Sequence, residues 1–438
     1  MNARIPVRAS FPLWVAVLVH VWAAAPTAGQ TNPHGVAVLE RTDPAAVGMS
    51  AERLARLGPV LQRYVDDGRL AGGVVLVARH GRVVYVEPFG RMDVERDVAM
   101  RADAMFRIAS QTKALVSVAI MMLQEEGELA LSNPVGWFLP EYASTTVAVA
   151  REGGGYDVVP AARPITIRDL LTHTAGIGYG GGTAQDRWRE ADITGWYFAH
   201  RDEPVAETVA RMAGLPFDAQ PGERFVYGYA TDILGVVVER VSGLSLDDFL
   251  RTRILEPLRM HDTHFFLPPD ERDRLATVYS AGEDGTIRRA PDAGTMQSQG
   301  AYVEGPRRSF SGGAGLVSTA ADYGRFLQML LNGGELEGVR LLSPASVTLM
   351  TADHLGDRYP TAGVGFGLGF SVVRDLGRRG TPGSVGEFGW GGAYHSTYWV
   401  DPQEQLVVVY LTQLLPAGPI DDFARLRAVV YSAILSRN

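Results

Sequence analysis

Apolar positions in this chain follow two periods, and the switch between them maps out its elements. Leu54, Leu57, Leu61, Tyr64 and Val65 recur at helical spacing behind Ser50, a residue suited to cap a helix start. Gly72 to Arg79 is β-rich, His80-Gly81 makes a two-residue turn, and Arg82 to Glu87 returns, which predicts a hairpin. Ser110 to Glu126 goes back to a helical pattern that Gly127 stops. From about Leu129 to Gly305 the chain reads mostly as helix and long loop, rich in Gly, Pro and Asp, with an apolar helix at Ala230 to Val241. Its glycine triplets, Gly153 to Gly155 and Gly180 to Gly182, lack the Lys-Ser/Thr and the clear preceding strand of a phosphate cradle and read as loop. Thr319 to Leu331 is another helix, ended by Asn332-Gly333-Gly334. The C-terminal part is β-rich at Gly365 to Val373, Tyr394 to Val400 and Leu406 to Thr412, with a turn at Asp401-Pro402-Gln403 and a last helix from Asp421 to Leu435. β structure at both ends predicts one mixed α+β domain, residues 30–128 and 306–438, closed by both termini. A mainly helical domain, 129–305, is inserted in it.

With 438 residues the chain can bury a large core, and 46% hydrophobic with 21% charged residues is ordinary for a globular protein. A net charge of -8 and the lack of a basic-aromatic stripe argue against nucleic acid as a partner. Arg4 and Arg8, the apolar run Phe11 to Ala25 and the small residues Thr27-Ala28-Gly29 predict an export signal at 1–29, cleaved near Gly29. The run is short for a full membrane span, so no stable anchor is expected and the protein reads as periplasmic or secreted. The absence of cysteine removes thiol nucleophiles, Cys metal sites and a lipoprotein anchor. There is no His-Glu-x-x-His, and the nine histidines are scattered, so neither a metal nor another cofactor is expected.

Of the 41 Lys and Arg residues, one is lysine, and it is Lys113, three positions after Ser110. Arg serves for surface charge and ion pairs, but its guanidinium does not give up a proton in proteins. An amine kept at one place points to a proton acceptor. Residues three apart on a helix share a face, so Ser110 and Lys113 meet near the helix start, where free N–H groups and the positive dipole end favour a developing oxyanion. That is an acyl-transfer nucleophile without histidine. The rival Gly-x-Ser-x-Gly signature does not occur.

The Ser-x-x-Lys helix resembles that of the serine β-lactamase and penicillin-binding protein superfamily. The wider pattern is similar to its class C branch, above all to the esterases there. The likeness is carried by Leu170-Leu171-Thr172-His173-Thr174-Ala175-Gly176-Ile177, Pro221 to Tyr229, Asp232-Ile233-Leu234-Gly235, Val241-Ser242-Gly243, Ser311 to Leu316 and Phe388-Gly389-Trp390-Gly391-Gly392, in order over roughly residues 45 to 435. It implies a β-lactamase/transpeptidase-like antiparallel sheet flanked by helices. It also implies Ser110 as nucleophile, Lys113 as its base and Tyr227 as second base, acting as phenolate or proton relay. The N–H groups of Ser110 and Ala393 would form the oxyanion hole.

Two departures bear on the substrate. Tyr229 stands where Tyr-x-Asn has Asn, and Trp390-Gly391-Gly392 stands where β-lactam enzymes have Lys-Thr-Gly. An indole offers one neutral N–H and an apolar face, a poor match for a substrate carboxylate. The resemblance therefore implies a small-molecule ester with a neutral short or medium acyl chain, contacted by Tyr229, Trp390, Gly391, Gly392 and His395. His395 is included because strand alternation puts it on the face of Ala393. His173 reads as structural. Asp322, Arg325 and Glu239 read as helix-surface charges, and Arg307 and Arg308 as candidates to replace the lost lysine. The rival readings are a β-lactamase or D-alanyl-D-alanine carboxypeptidase, an acyltransferase, and a penicillin-binding sensor that acylates and stalls.

Overall fold

Eight strands make the main sheet: β1 (Gly72–Arg79), β2 (Arg82–Asp93), β3 (Val98–Ala99), β4 (Val364–Phe366), β5 (Ser371–Val373), β6 (Phe388–Gly392), β7 (Ser396–Asp401) and β8 (Leu406–Thr412). Their spatial order is β4-β5-β6-β7-β8-β1-β2-β3, with every neighbour antiparallel. The computed structural model describes Met1 and residues 40–436, so the expected export signal lies outside the described residues. The turn at His80-Gly81 forms as expected, with φ of 49° and 73°; positive φ at both positions matches the twist of the strands it joins. β1 pairs with β8 from Gly73↔Thr412 to Arg79↔Leu406, so the two ends of the chain close one sheet.

Both central strands are buried along their whole length, which explains their unbroken apolar runs. Alternate residues serve two cores. Val74, Leu76, Val407 and Val409 face a core that contains α2 (Thr112–Glu125), α3 (Ala230–Ser242) and α4 (Ala320–Leu331). Val75, Val77, Val408 and Tyr410 face α1 (Leu57–Asp66) and α5 (Asp422–Ser432). Much of the segment 129–305 packs in the first core, where Ile233 and Phe249 join Ile120 and Phe326 in one cluster, while Tyr279 packs in the second. That segment also holds two hairpins which the helix-and-loop reading lacks, Thr146–Ala150 with Tyr156–Pro160 and Tyr279–Ala281 with Ile287–Arg289.

The C-terminal β region is cut more finely than the pattern suggests. The run 365–373 is two strands folded at Gly367, whose N–H donates to Phe370 O at 2.7 Å. Gly369 (φ 96°) lies so close to α2 that a Cβ there would stand 2.3 Å from Ser117 Oγ. β7 begins at Ser396 because His395, at φ 58°, belongs to the turn that joins it to β6.

Three charges read as helix-surface groups are not. The Asp322 side chain accepts from Asp262 N (2.8 Å) and Thr263 Oγ1 (2.9 Å) and is buried. Arg325 pairs with Glu337 at 2.8 Å and donates to Leu258 O at 2.5 Å. Glu239 accepts from Leu246 N at 2.9 Å. Loops that return over these helices cover them, and helical periodicity carries no trace of that. Burial pushes the Asp322 carboxyl up to about 6. A folded value above the unfolded one favours folding only while the group is protonated. The contribution is full below about 3.8 and is lost as pH rises through about 6. Asp322→Asn, which cannot ionise, is therefore expected to gain stability relative to the parent between pH 4 and 7, by up to roughly 2–3 kcal/mol. Thermal midpoints of both proteins across that range check this; a difference that does not change with pH would refute it.

Candidate active site

Ser110 sits in the tight turn Ala109–Gln111 that opens α2. Ala109 before it has φ 43°, a left-handed conformation that a non-glycine residue holds only under constraint from its surroundings. The apolar run Ala114 to Leu123 sinks α2 into the core, and Lys113 goes down with it, 2% exposed. Three groups replace water around its amine. Lys113 Nζ lies 2.7 Å from Gly313 O, 3.0 Å from Tyr179 Oη and 3.4 Å from Ser110 Oγ. A neutral amine has two N–H donors and one lone pair. The charged amine holds all three groups as donor; on giving up one proton it would keep two donors, for Gly313 and Tyr179, and turn its lone pair to Ser110. Asp232, on α3, fixes this geometry from behind: its Oδ1 accepts from Gly313 N at 3.0 Å and from Ser311 Oγ at 2.6 Å. Burial raises the Asp232 carboxyl above its usual range, and the charge of Lys113 offsets part of the rise. Gly313 must be glycine here, since a Cβ would stand 2.3 Å from the Asp232 carboxylate.

Tyr227 covers the amine from the other side, its ring centroid 4.7 Å from Lys113 Nζ. Its hydroxyl accepts from Trp390 Nε1 at 3.0 Å. Tyr179 meets Tyr227 edge-on, with centroids 5.8 Å apart, and burial holds the Tyr179 hydroxyl well above its ordinary pKa. His173 packs its ring 4.7 Å from that of Tyr227, among Phe225 and Phe366. Burial, and then the charge of Lys113, push its pKa well down, so it stays neutral and acts as a spacer.

Ser110, Tyr179, Tyr227, Trp390, Gly391 and Ala393 line one cavity of about 760 Å³. The end of β6 is pressed against the serine turn: a Cβ on Gly392 would stand 2.5 Å from Ile108 O. This approach sets Ala393 beside Ser110. Among the described residues no protein acceptor takes the N–H of Ala393, and Ser110 lies in a first helical turn, where N–H groups have no partner inside the helix.

Five of the positions expected to meet substrate lie outside this lining, Gly392 among them, since it backs onto Ile108. Tyr229 is buried away from the cavity lining, stacked between Trp188 and Phe198, with its hydroxyl donating to Gly195 O at 2.5 Å. His395 turns away from the cavity, because its residue makes the β6–β7 turn and alternation stops there. Its ring lies on Phe423 and its Nε2 is 2.8 Å from Asp422 Oδ1. Arg307 lines a separate cavity, and Arg308 pairs with Asp202 at 3.3 Å.

The β-lactamase family model matches residues 57–431. The chain belongs to the beta-lactamase family. It is 34% identical over 393 residues to esterase EstB of Burkholderia gladioli, covering 86% of this chain and 94% of that protein. It is 36% identical over 377 residues to protein Rv1367c of Mycobacterium tuberculosis, covering 82% and 90%. Among solved structures it is similar to EstCE1, described as a hydrolase with promiscuous acyltransferase activity, at TM-score 0.75 and 30% identity over 87% of this chain and 99% of that one. Its fold is the β-lactamase/transpeptidase fold, and it is an enzyme of the serine-hydrolase type. Within that family frame, the sequence reading missed Tyr179 and gave no role to Asp232 or Gly313, which it had only as parts of the motifs that carry the resemblance. Tyr179 lies outside any Ser-x-x-Lys spacing, in a glycine-rich loop, and only the fold carries it to the lysine. Among the described residues no cluster of His, Asp or Glu could hold a metal.

Proposed function

We propose that the protein hydrolyses carboxylic esters with short or medium acyl chains through an acyl-enzyme on Ser110. Lys113 takes the Ser110 proton as Oγ attacks the ester carbonyl carbon. The oxyanion that forms accepts from the N–H groups of Ser110 and Ala393. The C–O bond to the alcohol then breaks, and the proton held by Lys113 passes through Tyr227 to the departing alkoxide. Water attacks the acyl carbon and gives a proton to Lys113; the bond to Ser110 Oγ breaks, that proton returns to Oγ, and the acid leaves. The leading apolar run supports an exported location for this enzyme.

One observation carries the preference for esters. At the position of the β-lactam enzymes' lysine stands Trp390, whose only donor is already given to Tyr227 Oη at 3.0 Å. Its ring adds apolar surface beside Phe366 rather than a charge for a substrate carboxylate. Kinship with EstB supports the same reading. Transfer of the acyl group to an alcohol in place of water needs no further residue, and the description of EstCE1 favours that as a side activity.

The test compares initial rates on p-nitrophenyl butyrate and nitrocefin, with Ser110→Ala as background control. The ester is expected to be cleaved at least about 100-fold faster in kcat/KM, a difference near 3 kcal/mol. Trp390→Lys is expected to narrow that ratio by raising affinity for nitrocefin. Preferred cleavage of nitrocefin by the parent enzyme would overturn the proposal.

A further inference from the structure

The lining of the catalytic cavity takes in both faces of β6 around its edge at 390–392, which β5 leaves unpaired: Trp390 and Tyr398 on one face, and on the other Gly389 and Gly391, which carry no side chains. Gly391 pairs with Thr397 and Gly389 with Trp399, so these four positions share one face, opposite that of Trp390. The result is a trough floored by Thr397 and Trp399 and walled by Val373, Phe423 and Ala424.

At its far end the lining becomes charged. Arg379, Glu387 and Arg427 meet there. Both oxygens of Glu387 are occupied. Oε1 accepts from Arg379 Nη1 at 2.9 Å, and Oε2 accepts from Tyr431 Oη at 2.7 Å and from Arg427 Nη2. Arg427 Nε is committed to Pro382 O at 2.6 Å. Arg379 Nε and Nη2 and Arg427 Nη1 have no acceptor among the described residues. The lining therefore sets two guanidiniums against one carboxylate. The next carboxylate, Asp401, bonds the same Tyr431 hydroxyl at 2.9 Å but is not part of the lining. Thr381 Oγ1 and Trp399 Nε1, in the same lining, are buried without a partner. The two buried groups call for a hydrogen-bond partner, and the open guanidinium donors belong to residues of the same lining. A guanidinium fork fits the paired oxygens of an oxyanion, a carboxylate among them.

We propose that this end of the cavity is a carboxylate subsite, so that the preferred esters carry an apolar arm ending in a free acid. The inference rests on the ester-hydrolase reading above. Gly391, beside the serine, and Glu387 are four strand positions apart, about 13 Å, the reach of roughly ten carbon atoms in an extended chain. The acid is thus recognised far from the reacting carbonyl, at the other end of β6 from the position of the missing lysine.

Binding and turnover are measured separately. Ser110→Ala is titrated calorimetrically with monomethyl esters of straight-chain diacids of four, six, eight and ten carbons, and with their terminal-amide analogues. The acid series is expected to tighten at least about tenfold over the amides only at eight to ten carbons, as one charged hydrogen-bonded contact would give. In Ser110→Ala/Arg379→Gln the acid-to-amide ratio is expected to fall towards one. A ratio near one at every length, or one that Arg379→Gln leaves intact, would show that the cluster only ties α5 to its loop, and would overturn the proposal. Turnover of the same esters by the parent enzyme reads the other claim. Tight acid binding without any ester cleavage would uphold the subsite and refute the hydrolase reading.

Discussion

Lys113→Arg is expected to be as inactive as Lys113→Ala, each losing on the order of 10²- to 10⁴-fold in kcat. A surface or purely electrostatic lysine would tolerate the exchange, since Arg keeps the charge. The site asks for a lone pair instead. Gly313 O at 2.7 Å and Tyr179 Oη at 3.0 Å use the donors of the amine, and Ser110 Oγ at 3.4 Å faces what remains. A guanidinium has five donors and no acceptor. It would also have to fit a space closed by Tyr179, Tyr227 and the Gly313 loop. The measurement is the burst of p-nitrophenol on mixing with p-nitrophenyl butyrate, with circular dichroism to confirm that each variant is folded. Ser110→Ala should show no burst and no acyl adduct by mass spectrometry. A Lys113→Arg enzyme within tenfold of the parent would mean that Lys113 is not the base.

Gly392→Ala is expected to lower kcat by about 10²- to 10³-fold, the usual cost of losing one oxyanion-hole donor. The added methyl would stand 2.5 Å from Ile108 O. That oxygen is backbone, two residues before the nucleophile, and cannot swing aside as a side-chain tip can. Either the end of β6 retreats or the serine turn does, and in both cases the N–H of Ala393 parts from Ser110. KM should change much less than kcat, because the oxyanion exists only in the transition state and the intermediates. The thermal midpoint separates this effect from general loss of fold, since the contact lies at a hairpin end. Near-parental kcat would sink the idea that this contact sets the oxyanion hole.

Much of the fold was legible because its signals are local. The His80-Gly81 hairpin, the α2 stretch ended by Gly127 and the continuous apolar runs of β1 and β8 each follow from a few adjacent residues. The inserted segment was less so, since its two hairpins are short and their strands do not alternate cleanly between buried and exposed positions. His395 shows where a local rule stopped working. Alternation puts it beside Ala393, but a residue at φ 58° in a turn breaks the alternation, and its ring bonds Asp422 instead. Tyr229 occupies a motif position, yet its hydroxyl is held by Gly195 O, outside the cavity.

The sequence by itself singled out the candidate pair. Ser110 and Lys113 share a face because the α-helix repeats every 3.6 residues, and the restriction of lysine to that one position follows from what an amine can do and a guanidinium cannot. Only the tertiary structure decided what surrounds the pair. Tyr179, Gly313 and Trp390 lie 66, 200 and 277 positions from Lys113 in the chain, and nothing in local periodicity records which distant segments will meet. Their meeting follows from how the sheet closes and how α3 packs against α2.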